Sequence, residues 1–215
     1  GMVIQMFQLI RNNNGEKESV QQRQTGDLEY LIFPNLEDTG VVEHLFTTRT
    51  GGVSKGVCAT MNLSFSRGDD PEAVRENYRR IGAVLGVMPD HMVASRQTHT
   101  TNIHLVTEEN LGNGITRPSV YEDIDGLATD QPGIALVTYY ADCVPLYFVD
   151  PVHRAIGLAH SGWRGTVSRM GEHMVHFMQE HFQSRPEDLV TAIGPSICVD
   201  CYEISEEVAE QFRCG

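Results

Sequence analysis

No stretch of this 215-residue chain approaches the roughly 20 consecutive apolar residues that a membrane helix needs, so no membrane partner is expected. The N-terminus lacks the basic segment and apolar run of a secretory signal, and Gly1 ahead of Met2 reads as the remnant of a cleaved tag. Basic residues are scarce: 16 Lys and Arg against 29 Asp and Glu leave a formal charge of −13. Nucleic acid, which needs clustered positive charge, is excluded as a partner on that ground. The five cysteines are an odd number without the spacing of a disulfide framework, which favours a reduced, cytoplasmic setting. There is no HExxH motif and no dense set of HxH motifs, so neither a zinc-protease helix nor the copper array of a blue-copper oxidase is spelled locally.

What is present is an ordinary globular composition, 40% hydrophobic and 21% charged, with no repeat and no Ser/Pro-rich linker. One mixed domain over residues 1–215 is the economical reading. Strands fall in runs with helices set apart, which favours α+β over regular βαβ alternation. Residues 3–10, 30–33 and 41–48 read as strands, and the polar part of residues 1–26, from Arg11 onward, as an exposed, partly mobile segment. Asp70-Pro71-Glu72 opens a helix with an N-cap and a proline at the first helical position. Val74, Tyr78, Ile81 and Leu85 follow at helical spacing, and Gly86 ends it. Residues 92–106 are strand-like around the polar Gln97-Thr98-His99, residues 110–123 form a loop, and Asp125-Gly126 is a turn. Residues 166–182 predict a second helix with Val167, Met170, Met174, Phe177 and Met178 inward. A short strand at 189–193 and a helix at 206–212 complete the reading.

Residues 133–149 are apolar, aromatic and β-branched and predict one strand, with Asp150-Pro151-Val152-His153 as its turn and residues 155–160 returning. A two-residue loop at Pro151 and Val152 sets Cys143 opposite His160, with Cβ atoms roughly 4.5–5.5 Å apart. A three-residue loop would turn the pair to opposite faces, and Pro145 could force a bulge. His99, Cys143 and His160 are the candidate catalytic and metal-ligating set. Two imidazoles and one thiolate suit zinc, and three protein ligands leave the open position that catalysis uses. Their spacings of 44 and 17 residues are no local metal motif, so core-satisfied histidines beside a small buried cysteine are the plain alternative. Asp142 alternates to the other face of an ideal strand, where it could support a ligand indirectly.

Ser161-Gly162-Trp163-Arg164-Gly165-Thr166 leads from His160 into a helix. Glycines before a helix N-terminus leave N–H groups for an anion, and Arg164 adds a bidentate partner for phosphate or carboxylate. The same glycines could equally make only the corner, with Trp163 packing. Arg49 beside Gly51-Gly52 is a weaker case of the same kind. His173, His176 and His181 read as a solvated helix face. Cys198-Val199-Asp200-Cys201 is a lone CxxC without the second pair that zinc sites of that type use, and reads as ordinary thiols.

Taken in order, several motifs form a specific set. They are Thr48-Arg49-Thr50-Gly51-Gly52-Val53-Ser54, Asn62-Leu63-Ser64, Gly68-Asp69-Asp70-Pro71 with Glu76-Asn77, Gln97-Thr98-His99 and Asp125-Gly126. They continue through Ala141-Asp142-Cys143-Val144-Pro145, Ala159-His160-Ser161-Gly162-Trp163-Arg164-Gly165, Gly194-Pro195-Ser196-Ile197 and Tyr202-Glu203-Ile204. The set resembles the YfiH-like family, which carries the label of multi-copper polyphenol oxidoreductases or laccases, from about Phe46 to the C-terminus. The resemblance implies a mixed α/β sandwich-like domain, of a fold grouped with cysteine hydrolases, and a zinc site on His99, Cys143 and His160. It implies purine nucleoside phosphorolysis of adenosine, inosine, guanosine and methylthioadenosine, with adenosine deamination beside it. Purine nucleosides and phosphate would be the partners, with Arg49, Asn62 and Arg164 as candidates for binding them. Copper is the less favoured ion. The rival readings are a hydrolase with Cys143 as nucleophile and His160 as base, a copper polyphenol oxidase, and a non-enzymatic partner-binding module. Two departures stand out. Thr100 follows His99 where many relatives have glycine, and relatives run some tens of residues past the Tyr202 segment, so the family's C-terminal tail is expected to be missing here.

Overall fold

In the computed structural model, which describes residues 19–213, β1 (Gln21–Thr25) and β2 (Leu28–Ile32) pair antiparallel as a hairpin. Gly26 turns it with φ 59°, a backbone region that glycine enters without steric cost. Part of the segment expected to be mobile is therefore a strand. Its polar side chains are those of an edge strand with a solvated face. The strand expected at residues 3–10 lies outside the described residues. Next come α1 (Pro34–Glu37) and β3 (Phe46–Thr47), and β3 joins the hairpin in the order β1-β2-β3. The strand expected at 41–48 shrinks to those two residues. Val41 and Val42 instead pack beside Phe33 and Leu36, and His44 Nε2 accepts a hydrogen bond from the Phe33 N–H at 2.8 Å.

α2 (Pro71–Leu85) has the expected ends: Asp70 accepts from the Glu72 N–H, and Gly86 closes it in the left-handed conformation. Its apolar stripe divides between two clusters. Ile81 packs with Leu28, Tyr30 and Ile32, while Val74 and Tyr78 pack against Met92 and Ala94 of β4 (Met92–Ala94). The chain continues through β5 (Ile103–Leu105), β6 (Gly126–Thr129), β7 (Ala135–Val137), β8 (Val144–Asp150) and β9 (Ala155–Ser161). Then follow α3 (Trp163–Val167), α4 (Met170–Phe182), β10 (Val190–Ile193) and α5 (Glu206–Arg213). A five-stranded sheet runs β10-β8-β9-β6-β5, and β4 pairs with β7 in parallel as a separate two-stranded sheet. This is the expected mixed α/β architecture.

Three expectations are corrected. Residues 133–149 are two strands in different sheets, not one, because residues 138–143 leave the β geometry between β7 and β8. The predicted helix over 166–182 starts earlier and breaks: α3 ends at Val167, and Arg169, at φ 58°, turns the chain before α4. The β8–β9 loop holds four residues, so Asp150 pairs with Ala155 and Pro145, not Cys143, faces His160. Asp150 sets that length, since its buried carboxylate accepts from the Val152 and His153 N–H groups and from His153 Nδ1.

α4 covers the large sheet. Met170, Met174 and Met178 recur every fourth residue and are fully buried, the stripe expected of a core-facing helix. Each contributes about 1.5–3 kcal/mol through burial. Gly157 in β9 makes room for them, because a Cβ there would lie 2.7 Å from the Met174 sulfur.

Candidate metal centre

Three chain segments converge at one end of the two parallel and antiparallel ladders: residues 97–100 after β4, residues 138–143 before β8, and residues 160–162 at the end of β9. Gln97 ties the first two together. Its Nε2 donates to the Tyr139 carbonyl at 2.8 Å and its Oε1 accepts from the Tyr139 N–H at 2.7 Å. Tyr140 ties the second to the third, its hydroxyl donating to the Ala159 carbonyl at 3.0 Å. In this arrangement His99, Cys143 and His160 each offer one ligand atom, and those atoms lie within 4.8 Å of one another. His160 is 4% exposed, Cys143 is half-buried and His99 faces solvent. The cluster is thus anchored in the sheet and open on one side. Two surface cavities of about 290 and about 230 Å³ include none of these residues.

By sequence alone, Asp125 is the first residue of a turn dipeptide. It is the residue around which the centre is built. Its fully buried carboxylate accepts from the backbone N–H groups of Thr98, His99 and Thr100, each at 3.0 Å. It also accepts from the Thr100 hydroxyl at 3.0 Å and bonds His160 Nδ1 at 2.8 Å. Its own carbonyl accepts from the His160 N–H. One side chain therefore fixes the loop of one histidine and the ring of the other. The N–H cradle bends His99 to φ 68°, an uncommon conformation for a non-glycine residue. Thr100 supplies two of the donors, its N–H and its hydroxyl. Burial alone would raise the Asp125 pKa, but the hydrogen bonds from His160, Thr98 and Thr100 outweigh it and hold the carboxyl at about 2. An ionised carboxylate only accepts, so Nδ1 of His160 carries the proton and Nε2 keeps a free lone pair, the usual support of a metal-ligating histidine. The need of such a histidine for a carboxylate partner was the signal that could have singled out Asp125. Asp142, considered for that role, has an exposed side chain, and its carbonyl accepts from the Ile197 N–H.

The observed register runs two residues off the expected one. A shift of two preserves side-chain faces, so Cys143 still reaches the cluster, beside Gly162 instead of opposite His160. A Cβ on Gly162 would lie 3.0 Å from Cys143 Sγ and 3.0 Å from His99 Cδ2. The missing side chain thus keeps a space open among the ligand atoms. The donor set and this space fit a zinc-sized ion. Burial pushes the Cys143 thiol up, and the carboxylates of Asp142 and Asp125 push it further. The thiol is neutral until a cation opposes those charges, which fits a metal ligand better than a free nucleophile.

The remaining candidates fall in different places. Arg164 is exposed, with its guanidinium 4.3 Å from the centre of the Trp163 ring, and follows Gly162 by two residues in the chain. α3 is only five residues long, so Arg164 itself, not a long helix dipole, carries the positive charge there. Arg49 is exposed, and its carbonyl accepts from the Thr60 and Met61 N–H groups. Asn62 is occupied within its own loop: Nδ2 donates to the Ser64 carbonyl and to Asp69 Oδ2, and Oδ1 accepts from the Ser64 N–H. His173, His176 and His181 are exposed on α4.

Residues 43–214 match the model of the family described as multi-copper polyphenol oxidoreductase laccase. The chain belongs to this family. It is 42% identical over 188 residues to the purine nucleoside phosphorylase of Deinococcus radiodurans, covering 87% of this chain and 68% of that protein. Adenosine deaminase RL5, from an unknown prokaryotic organism, is 34% identical, with 80% of this chain and 66% of that protein covered. Among solved structures, YlmD from Geobacillus stearothermophilus superposes with a TM-score of 0.81 at 36% identity, covering 90% of this chain and 71% of that chain. In sequence, the chain spans 61% of the length of YlmD from the same organism.

Proposed function

We propose that this chain is a zinc-dependent purine nucleoside phosphorylase that also deaminates adenosine and cleaves methylthioadenosine, acting in the cytoplasm on nucleosides and phosphate. The observation that carries the reading is the His99, Cys143 and His160 cluster, set on a buried Asp125, in a family whose relatives bear phosphorylase and deaminase names. A zinc ion held there would supply Lewis-acid polarisation of the reacting group. The chain's own residues do the rest. Asp125 keeps the His160 proton on Nδ1, the N–H cradle fixes His99, and Gly162 leaves the space unfilled. Arg164, free of any carboxylate partner among the described residues, is the candidate for receiving phosphate. Copper polyphenol oxidation is less well supported, since multi-copper chemistry needs further ligand sets. Among the described residues His99, Cys143 and His160 are the one such group. The deciding experiment incubates zinc-loaded protein with inosine, with and without phosphate, and follows free base. Release that depends on phosphate supports the reading; no release from any purine nucleoside refutes it.

A further inference from the structure

Cys198 and Cys201 stand apart from the ligand cluster, yet they are not the ordinary loop thiols the sequence suggests. Cys198 caps the start of a one-turn 3-10 segment, Val199–Cys201, and Cys201 is its last residue; both are exposed, and their sulfurs are 3.0 Å apart within hydrogen-bonding contact. When Cys198 ionises, the Cys201 thiol donates to it, and the N–H groups of Cys201 and Asp200 add to that support, so the Cys198 pKa falls. The same contact raises Cys201. The two thiols are therefore unequal, one suited to attack and the other placed to follow. The turn also has a defined position in the fold. Beyond β10 the chain keeps bonding to the β8 side, Gly194 N–H to the Pro145 carbonyl and Ile197 N–H to the Asp142 carbonyl. The dithiol thus begins one residue after a hydrogen bond to the neighbour of Cys143.

We propose that Cys198 and Cys201 form a thiol–disulfide exchange site, distinct from the metal centre, that takes a small-molecule disulfide as its oxidant. The Cys198 thiolate attacks one sulfur of the small disulfide, forming a mixed disulfide and expelling one thiolate. Cys201, after giving its proton to water, attacks the Cys198 sulfur. The bond between the two cysteines forms, the mixed disulfide breaks, and the second thiolate leaves. Both departing thiolates take up protons, and two electrons pass from the cysteine pair to the small disulfide.

The test uses the zinc-loaded chain equilibrated with mixtures of reduced and oxidised glutathione, then blocked with N-ethylmaleimide and mapped by peptide mass. The expected result is a peptide linking Cys198 to Cys201, lighter by two hydrogens and unlabelled at both positions, whose share rises with the oxidised fraction. Cys201→Ser should trap glutathione on Cys198, and Cys198→Ser should abolish adducts at Cys201. Full labelling of both cysteines in every mixture, or equal glutathione adducts in the two single variants, overturns the proposal. None of these readouts depends on nucleoside turnover, so the site can fail while the phosphorylase reading stands, and the reverse.

Discussion

Asp125 Oδ1 lies 2.8 Å from Nδ1 of His160, and the same carboxylate collects the N–H groups of Thr98, His99 and Thr100. An asparagine at 125 keeps the size but replaces one acceptor oxygen with a donor, so it cannot satisfy all of these groups at once. Asp125→Asn is expected to weaken zinc binding about 10- to 100-fold, the usual cost of losing the partner of a ligating histidine. It should also lower stability by about 1–3 kcal/mol through the buried donors it strands. Chelator competition and thermal denaturation would measure the two effects. Zinc affinity equal to wild type would remove Asp125 from the centre.

The same carboxylate gives a pH signature. Its folded pKa, about 2, lies below its ordinary value of 3.8, so the folded state favours the ionised form. The stabilisation is therefore fully present above about pH 4 and is lost as pH falls through about 2, amounting to about 2 kcal/mol. In denaturant titrations of metal-free protein, the stability gap between wild type and Asp125→Asn should close across that window. A gap that stays constant to pH 2 would contradict the assignment.

Gly162 offers a steric test that leaves the backbone alone. Its φ of −76° and ψ of −175° suit alanine, yet the added methyl would press on Cys143 Sγ and His99 Cδ2. Gly162→Ala should thus reduce zinc occupancy while the metal-free protein melts close to the wild-type temperature. Full zinc occupancy in the variant would mean that the space is not where the ion sits.

Metal stoichiometry tests the centre as a whole. Protein purified without a histidine tag is expected to carry one zinc per chain, and Cys143→Ala to lose it, since two imidazoles alone leave the tetrahedral set half filled. Elemental analysis decides it. Stoichiometric copper with no zinc, or zinc fully kept by Cys143→Ala, would be the contrary result.

Much of this centre was legible in the residues, and the rest was hidden for identifiable reasons. Helix α2 announced both its ends through Asp70, Pro71 and Gly86, because capping is local chemistry. The β8–β9 register depended on how Asp150 folds its own turn, a choice that Pro151 and Val152 do not reveal. The two-residue error kept Cys143 on the right face only because strand faces repeat every second residue. Residues 133–149 looked like one strand because apolar composition does not show where a chain leaves one sheet for another. Long-range contacts mark the break: the Gln97 clasp on Tyr139 and the Tyr140 hydroxyl on the Ala159 carbonyl. Asp125 was missed because five donors from two distant stretches of chain, residues 98–100 and His160, meet there, and no sequence window contains them.

Arg164 is the remaining discriminating residue. Its guanidinium sits 4.3 Å from the centre of the Trp163 ring, which restrains it and leaves its N–H fork for an anion. Arg164→Ala should raise the KM for phosphate and cost about 1.5–3 kcal/mol of transition-state stabilisation in inosine phosphorolysis, the range for hydrogen bonds to charged groups. Arg164→Lys should recover only part of that loss, because a point charge replaces a bidentate fork. Adenosine deamination, which consumes water and no phosphate, should stay near wild type in both variants. Steady-state kinetics of the two reactions separate the explanations. An equal fall in both would assign Arg164 a structural role, and no fall in either would move phosphate to Arg49, whose exposed side chain is the next candidate.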